Sequence, residues 1–386
     1  MNPREQRGLE LAERAKIHRE GGDVWAVPSQ SGRGRYWVRL NGSKPFCTCP
    51  DHEIRAEKCK HIFAVEHTVE KEAESEKPRV RSWPSYNAAQ TSEKAKFVAL
   101  LSDICKSVPE PAQTNGRPRL PLSDMLFCVT LKVYVGFSSR RFATDLKAAH
   151  AKGLVSKAPH FNSVSNYLAK PELTGTLKHL VTLSSLPLKA VETSFAVDSS
   201  SFSTCRFVRW FNKKYGRETD NRTWVKAHLM CGVQTKVVTA IDISGWAAND
   251  TTYFAPLVQT TAEHFPVKEV SADKAYLSQK NLRAVESVGG TAFVPFKSNT
   301  LPPAEDGSAW AQMYHYFTYN REKFLEHYHQ RSNVESAYSM LKAKFGDSVR
   351  SKSDTGQINE ALCKVLCHNL CVLVQAMHEL GIEPAF

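Results

Sequence analysis

The chain has 386 residues, 42% hydrophobic and 23% charged, which is apolar mass enough to bury a large core and to exclude disorder throughout. No run approaches the ~18 apolar residues of a membrane span, and the first twenty residues lack the apolar stretch of a secretory signal. Lys and Arg number 51 against 39 Asp and Glu, a net charge of +12, which points to a polyanionic partner, nucleic acid ahead of a membrane surface.

Ten cysteines without an export signal imply a reducing, cytoplasmic compartment, so thiols or metal ligands rather than disulfides. Residues 1–20 read as a short charged helix. Two strands around a Gly/Ser turn at Ser29–Gly34 follow, then a Cys/His cluster and a helix from His61 to Lys77, closing a small unit over 1–77. Pro78 and Pro84 mark a linker over 78–120 that holds one helix, 93–108. Residues 121–190 read as short helices with tight turns, a helix-turn-helix-like region suited to DNA.

From 191 the pattern changes. SFAV, ending at Asp198, is a strand, and TWVKAHLMCGV and KVVTAIDIS form a hairpin. A helix over 250–264 precedes a strand ending at Asp273. A helix over 277–288, a strand at TAFVPF and long helices over about 322–345 and 357–380 complete the chain. The order βββ-α-β-α-β-α predicts a mixed α/β sheet with helices on its faces over 191–386. A short insertion is expected at about 298–322.

Cys47-Thr-Cys49, nine residues, then Cys59-Lys-His61 offers three thiolates and one imidazole, a closed tetrahedral set for structural Zn²⁺. So small a unit buries little apolar surface, and metal supplies much of its folding free energy. His52 and His67 fall outside the pattern and read as surface residues. With Trp25 and Tyr36 on the preceding strands, and the runs CTCPD and CKHIFAV, the unit resembles a SWIM zinc finger. The resemblance implies a DNA- or protein-binding module. Cys363, Cys367 and Cys371 recur every four residues among leucines and read as buried core thiols, as does His368 as a core histidine.

Asp198 and Asp273 end the first and fourth strands of the unit, which are neighbours if the crossover is right-handed. A carboxylate from a later helix would complete an oxygen site for Mg²⁺ or Mn²⁺. Tyr328, Arg331, Glu335 and Lys342 lie at spacings of three, four and seven. On one continuous helix their directions fall at ~0°, 300°, 340° and 320°, one narrow sector. From Tyr328 to Lys342 that face spans ~21 Å, enough to follow several phosphates. Residues 202–226 hold seven Lys/Arg, Arg206, Arg209, Lys213 and Lys214 among them, interleaved with Trp210, Phe211 and Tyr215. That composition suits phosphate contact and base stacking.

The pattern Y-x2-R-x3-E-x6-K resembles the YREK signature of insertion-sequence DDE transposases, as do AVDSSSFS around Asp198, SADKAYLSQKNL around Asp273 and FVPFK ahead of the last helices. The resemblance implies an RNase H-like catalytic domain. It carries over Asp198, Asp273 and Glu335 as catalytic ligands of Mg²⁺ or Mn²⁺, and Tyr328, Arg331 and Lys342 as supporting or DNA-contacting residues. It also implies strand cleavage and 3′-hydroxyl transfer on double-stranded DNA, a dimer or larger assembly on paired ends, and a prokaryotic, nucleoid-associated protein. With 61 residues between Asp273 and Glu335, a large β-rich insertion has no room. Two other readings stay open: a non-catalytic zinc-finger and helix-turn-helix regulator, and an RNase H-like nuclease that cuts without joining.

Overall fold

The computed structural model describes residues 3–15, 17–21, 24–29, 34–40, 45–76, 82–113, 118–204, 224–301, 303 and 307–386. The chain divides into two compact units, Met1–Arg81 and Ser82–Phe386.

The first unit is an antiparallel sheet in the order β1 (His18–Gly21), β2 (Val24–Pro28), β3 (Arg35–Arg39), β4 (Phe46–Cys47). Helix α1 (Pro3–Arg14) lies against α3 (Lys60–Glu76), and the short α2 (Pro50–Arg55) stands between β4 and α3. The two long helices meet so closely at Gly8 that a Cβ there would sit 2.6 Å from the Phe63 Cβ. Leu11, Trp25, Val27, Val38, Ile62 and Val65 fill the core together with the three clustered cysteines. His52 departs from the surface role its position suggested: it is buried, its Nδ1 2.7 Å from the Glu57 carbonyl and its ring edge-on to Phe46.

The second unit opens with α4 (Trp83–Lys106). The stretch that read as a linker thus carries a helix starting ten residues earlier than expected, because Pro84 lies in its first turn, where a missing N–H costs nothing. Helices α5 (Leu122–Val135), α6 (Ser139–Ala151), α7 (Phe161–Leu168) and α8 (Glu172–Ser185) follow. Next come strands β5 (Ser194–Thr204), β6 (Trp224–Gly232) and β7 (Val238–Gly245), then α9 (Thr251–Ala262), β8 (Glu269–Ala272), α10 (Gln279–Glu286) and β9 (Thr291–Phe293). Helices α11 (Ala309–Tyr319), α12 (Arg321–Tyr328) and α13 (Ser332–Phe345), strand β10 (Ser348–Val349) and helix α14 (Asp354–Glu379) close the chain.

The sheet runs β7-β6-β5-β8-β9, with β5, β6 and β7 antiparallel and β8 and β9 parallel to β5. This is the mixed α/β, RNase H-like βββαβα arrangement. Side chains alternate along β5. Phe195 and Val197 join one core with α9, α10 and the aromatic helices, while Ala196 and Phe202 join the other with α4, α5, α8, α13 and α14. Trp310, Tyr314 and Phe317 of α11 surround Phe296 at 4.9–5.8 Å, so these aromatics are core.

Helix α14 is long and apolar enough to cross a membrane by length and composition, which the sequence count of consecutive apolar residues passed over. Its most apolar window is 78% buried inside the fold. The helix is stitched in by polar groups: buried Asn369 accepts from the Val238 N–H and donates to the Val238 and Val181 carbonyls. Cys363 and Cys367 are fully buried, and burial raises both thiols, Cys363 to about 12. His368 is buried too, with Nε2 2.9 Å from the Lys236 carbonyl.

Candidate active site and metal centre

Strand β5 is the longest in the sheet, and it has two partners on one edge. Residues Ser194–Val197 pair with β8, ending at Val197 opposite Ala272, and Ser203 and Thr204 pair with β10. Between these stretches, 198–202 has no strand neighbour on that edge among the described residues. Asp198 therefore lies in mid-strand rather than at a strand end, because SSSFST continues the ladder with β6. It is nevertheless the first residue past the β8 pairing. Asp273 follows Ala272 directly, so the two carboxylates leave neighbouring strands about 4.8 Å apart, side by side. The Asp273 carboxylate accepts from the Lys274 N–H at 2.8 Å.

The third carboxylate comes across the sheet face. The helix expected over 322–345 is broken: α12 ends at Tyr328, a 3₁₀ turn covers His329–Arg331, and α13 starts at Ser332. The single continuous face from Tyr328 to Lys342 is thus corrected to a shorter one that begins at Arg331. Along it the contacts track β5. The Arg331 guanidinium donates to Asp198 at 3.2 Å and to Glu335 at 2.6 Å. The Tyr338 hydroxyl donates to the Ala227 carbonyl at 2.7 Å and reaches the Asp198 carbonyl at 3.2 Å. Lys342 donates to the Ser200 hydroxyl at 2.6 Å and lies 5.8 Å from the Phe202 ring centre. Asp198, Ser200 and Phe202 share one face of β5 by alternation, and α13 lies along it.

Tyr328 leaves this line and packs on the aromatic core, near enough to Arg331 to favour the guanidinium's charge. Arg206, Arg209, Lys213 and Lys214, and the aromatics interleaved with them, lie outside the described residues.

The electrostatics follow from the geometry. Burial raises the Asp198 pKa. The Ser199 N–H and the Arg331 charge pull it down, and the negative charges of Glu335 and Asp273 push it up again. Both other carboxylates are thus within electrostatic reach of Asp198. Arg331, whose pKa rises beside Glu335 and Asp198 despite burial, is the cation between these two. Burial lowers the Lys342 pKa. Glu335 is half exposed, open to solvent and substrate. Three carboxylates with a cation among them suit a hard, partly hydrated divalent ion in place of the guanidinium.

Two features escaped the sequence reading. Tyr338 sits three residues after Glu335 and four before Lys342 on the same helix face, a spacing that the helical period itself contains. On the opposite face of β5, Ser199 donates to Asp250 at 3.0 Å, and Lys226 pairs with the other oxygen of that carboxylate. His228, stacked on Tyr253 at 4.0 Å, completes this cluster with Nε2 2.8 Å from the Ser244 hydroxyl. No local pattern around Asp250 signals it.

The second cluster is of opposite character. Cys47 ends β4, Cys49 immediately precedes α2, and Cys59 and His61 flank the start of α3. All four are buried, and their ligand atoms lie within 4.8 Å of one another. The His61 Nδ1 faces the Cys47 and Cys59 sulfurs at 3.9 Å each. Zn–S bonds of about 2.3 Å in a tetrahedron place sulfurs about 3.8 Å apart, so this set fits zinc with little movement. A hydrogen bond from the Cys47 thiol lowers the Cys59 pKa to about 3, while Cys47 itself is raised. A thiolate already favoured among thiols is a metal ligand in waiting.

Residues 189–370 match the transposase DDE domain, and residues 36–70 match the SWIM zinc finger. The chain carries a DDE transposase domain behind an amino-terminal SWIM finger.

Proposed function

We propose that the protein cuts DNA strands at the ends of a mobile element and joins the freed 3′-hydroxyl to target DNA. The observation that carries this reading is the single guanidinium of Arg331 held between Asp198 and Glu335, with Asp273 beside Asp198 in strand register. Asp198, Asp273 and Glu335 are proposed to hold Mg²⁺ or Mn²⁺. Such ions, when bound, activate a water or 3′-hydroxyl nucleophile and stabilise the leaving oxygen.

The chain's own groups do the rest. Arg331 offsets carboxylate repulsion and keeps Asp198 and Glu335 aimed at a common point. Tyr338 fixes α13 to β5, so Glu335 is set by two backbone carbonyls rather than by an exposed side chain alone. Lys342, at the far end of this line, and Tyr328, off the line beside Arg331, are candidate contacts for the scissile strand, and Arg206, Arg209, Lys213 and Lys214 are proposed to add phosphate contacts. The partners are double-stranded DNA, at element ends and at the target, and a second copy of the chain. The zinc finger is proposed as a DNA- or protein-docking module, and the compartment as the prokaryotic cytoplasm.

The regulator reading requires carboxylates that stay apart, and the shared guanidinium weighs against it. A cutting but non-joining nuclease has the same geometry, so only the products separate the two. Incubating the protein with DNA from the flanks of its own gene and Mg²⁺ or Mn²⁺ tests the proposal. Metal-dependent nicks followed by joined product are expected. Nicks without joining favour the nuclease, and binding without nicks refutes catalysis.

A further inference from the structure

The strand ladder that brings Asp198 and Asp273 together stops one residue short of both. Strands β5 and β8 pair as far as Val197 opposite Ala272, and among the described residues no strand pairs with that edge of β5 again until Ser203. Backbone pairing therefore does not set the distance between the two carboxylates. Something else must, because Mg²⁺ demands near-ideal octahedral geometry of its oxygen ligands.

The start of α9 spans that gap from the opposite face of β5. Asp250 stands immediately ahead of α9, and Thr251 is its first residue. The Ser199 N–H donates to the Asp198 carboxylate at 2.8 Å, and the Ser199 hydroxyl donates to the Asp250 carboxylate at 3.0 Å. Ser199 thus joins the two aspartates, one through its backbone and the other through its side chain. The Thr251 hydroxyl donates to the Ala275 carbonyl at 3.0 Å, two residues beyond Asp273. Buried Asn281 donates to the carbonyls of Tyr276 and Thr251 at 2.8 and 3.4 Å and fastens the same turn. Consecutive residues of one helix start therefore hold the strand at Asp198 and the turn after Asp273. The buried Tyr276 hydroxyl lies among them. Burial raises its pKa and Ser199 lowers it, while the charges of Asp198, Asp250 and Asp273 raise it again.

Asp250 is committed to this bond rather than to its helix. An aspartate ahead of a helix ordinarily caps it, yet the Asp250 side chain makes no cap bond, and Asn249 accepts from the Thr251 N–H at 3.2 Å in its place. Lys226 and His228 lie opposite Ser201 and Ser199 in the β5–β6 ladder, on the face that carries Asp250. Lys226 pairs with the Asp250 oxygen that Ser199 leaves. That ion pair fixes the carboxylate, so its second oxygen meets Ser199 in one orientation.

We propose that Asp250 is a positioning residue for the divalent-cation site: through Ser199 on one side and the adjoining Thr251 on the other, the start of α9 sets the spacing of Asp198 and Asp273. The proposal rests on the shared-cation reading above. Mn²⁺ binding by electron paramagnetic resonance on zinc-loaded full-length protein, with thermal unfolding followed in parallel, tests it. Ser199→Ala removes one hydroxyl and leaves the Asp250–Lys226 pair in place. It should lose about ten-fold in Mn²⁺ affinity, since groups that orient metal ligands are typically worth ten- to a hundred-fold, while its unfolding temperature stays near wild type. Ser199→Thr keeps the hydroxyl and should bind as wild type. Asp250→Ala should lose at least as much as Ser199→Ala, and combining the two should cost nothing more, because both break one bond.

Wild-type Mn²⁺ affinity in Ser199→Ala and Asp250→Ala alike overturns the proposal, whatever their stability, since the cluster would then only hold the fold. So does a Ser199→Thr variant that falls as far as Ser199→Ala. Failure of the cation-site reading looks different. Glu335→Gln with wild-type affinity removes the shared site and the proposal with it, whereas loss in Glu335→Gln without loss in Ser199→Ala strikes the proposal alone.

Discussion

The two metal-type clusters of this chain are built on opposite principles. The Cys47, Cys49, Cys59 and His61 set draws soft ligands from fifteen consecutive residues, buries all of them and closes on itself. The proposed Asp198, Asp273 and Glu335 site draws carboxylates from segments spread over more than a hundred residues, and leaves Glu335 half exposed. A closed set holds a fold together, whereas an open set has room for substrate. The supports differ in the same way. The first unit surrounds its cysteines with a small apolar core, and the second sets its carboxylates on a sheet packed on both faces.

The comparison breaks first at the zinc finger. Chelation, or Cys59→Ser, should unfold residues 1–81, since structural zinc is worth about 10 kcal/mol or more in small fingers. Limited proteolysis should then cut within that unit and leave 82–386 intact. Equal loss of both units would show that the finger is more than a self-contained metal fold. At the carboxylates the expectation is reversed. Glu335→Gln should lower strand cleavage by about 10³-fold or more while thermal stability stays near wild type. Retained cleavage in a thermal-shift-normal protein would remove Glu335 from the chemistry.

Smaller effects sharpen the picture of the sheet beneath the site. His228 is buried against Tyr253, facing Asp250, Lys226 and Asp242, and burial lowers its pKa from 6.5 to about 4. The unfolded chain takes up this proton first as pH falls. Stability present above pH 6.5 should therefore decline between pH 6.5 and 4, by at most about 3 kcal/mol. Urea titrations should show that slope flattened in His228→Gln. At the far end of α13, Lys364 donates to the carbonyls of Phe345, Gly346 and Ser348. Lys364→Met should orphan them and cost about 2 kcal/mol by denaturant unfolding. A neutral result would mean that water replaces the ammonium.

How much of this was legible beforehand follows the same division. The thiol and imidazole cluster could be read from spacing alone, because its geometry is local. The βββαβα order followed from apolar runs and turn residues, and the adjacency of the strands ahead of Asp198 and Asp273 from the handedness of crossovers. What the sequence did not carry is tertiary. Nothing near His228 or Asp250 announces a buried polar cluster behind β5. The 3₁₀ turn at His329–Arg331 breaks a helix that the residue spacing alone would continue, and so places Arg331 where it meets both carboxylates. Proline at the start of α4 looked like a breaker and is a first-turn residue. His52 looked like a surface residue and is buried, because only packing against Phe46 decides it.

The central claim is that three carboxylates from distant elements form one divalent-cation site. Mn²⁺ binding, counted by electron paramagnetic resonance on zinc-loaded full-length protein, tests it most directly when wild type is set beside Asp198→Asn, Asp273→Asn and Glu335→Gln. The account predicts that each single variant loses the same Mn²⁺ affinity that wild type shows. A variant that binds Mn²⁺ as wild type does, Asp273→Asn above all, would contradict a shared site.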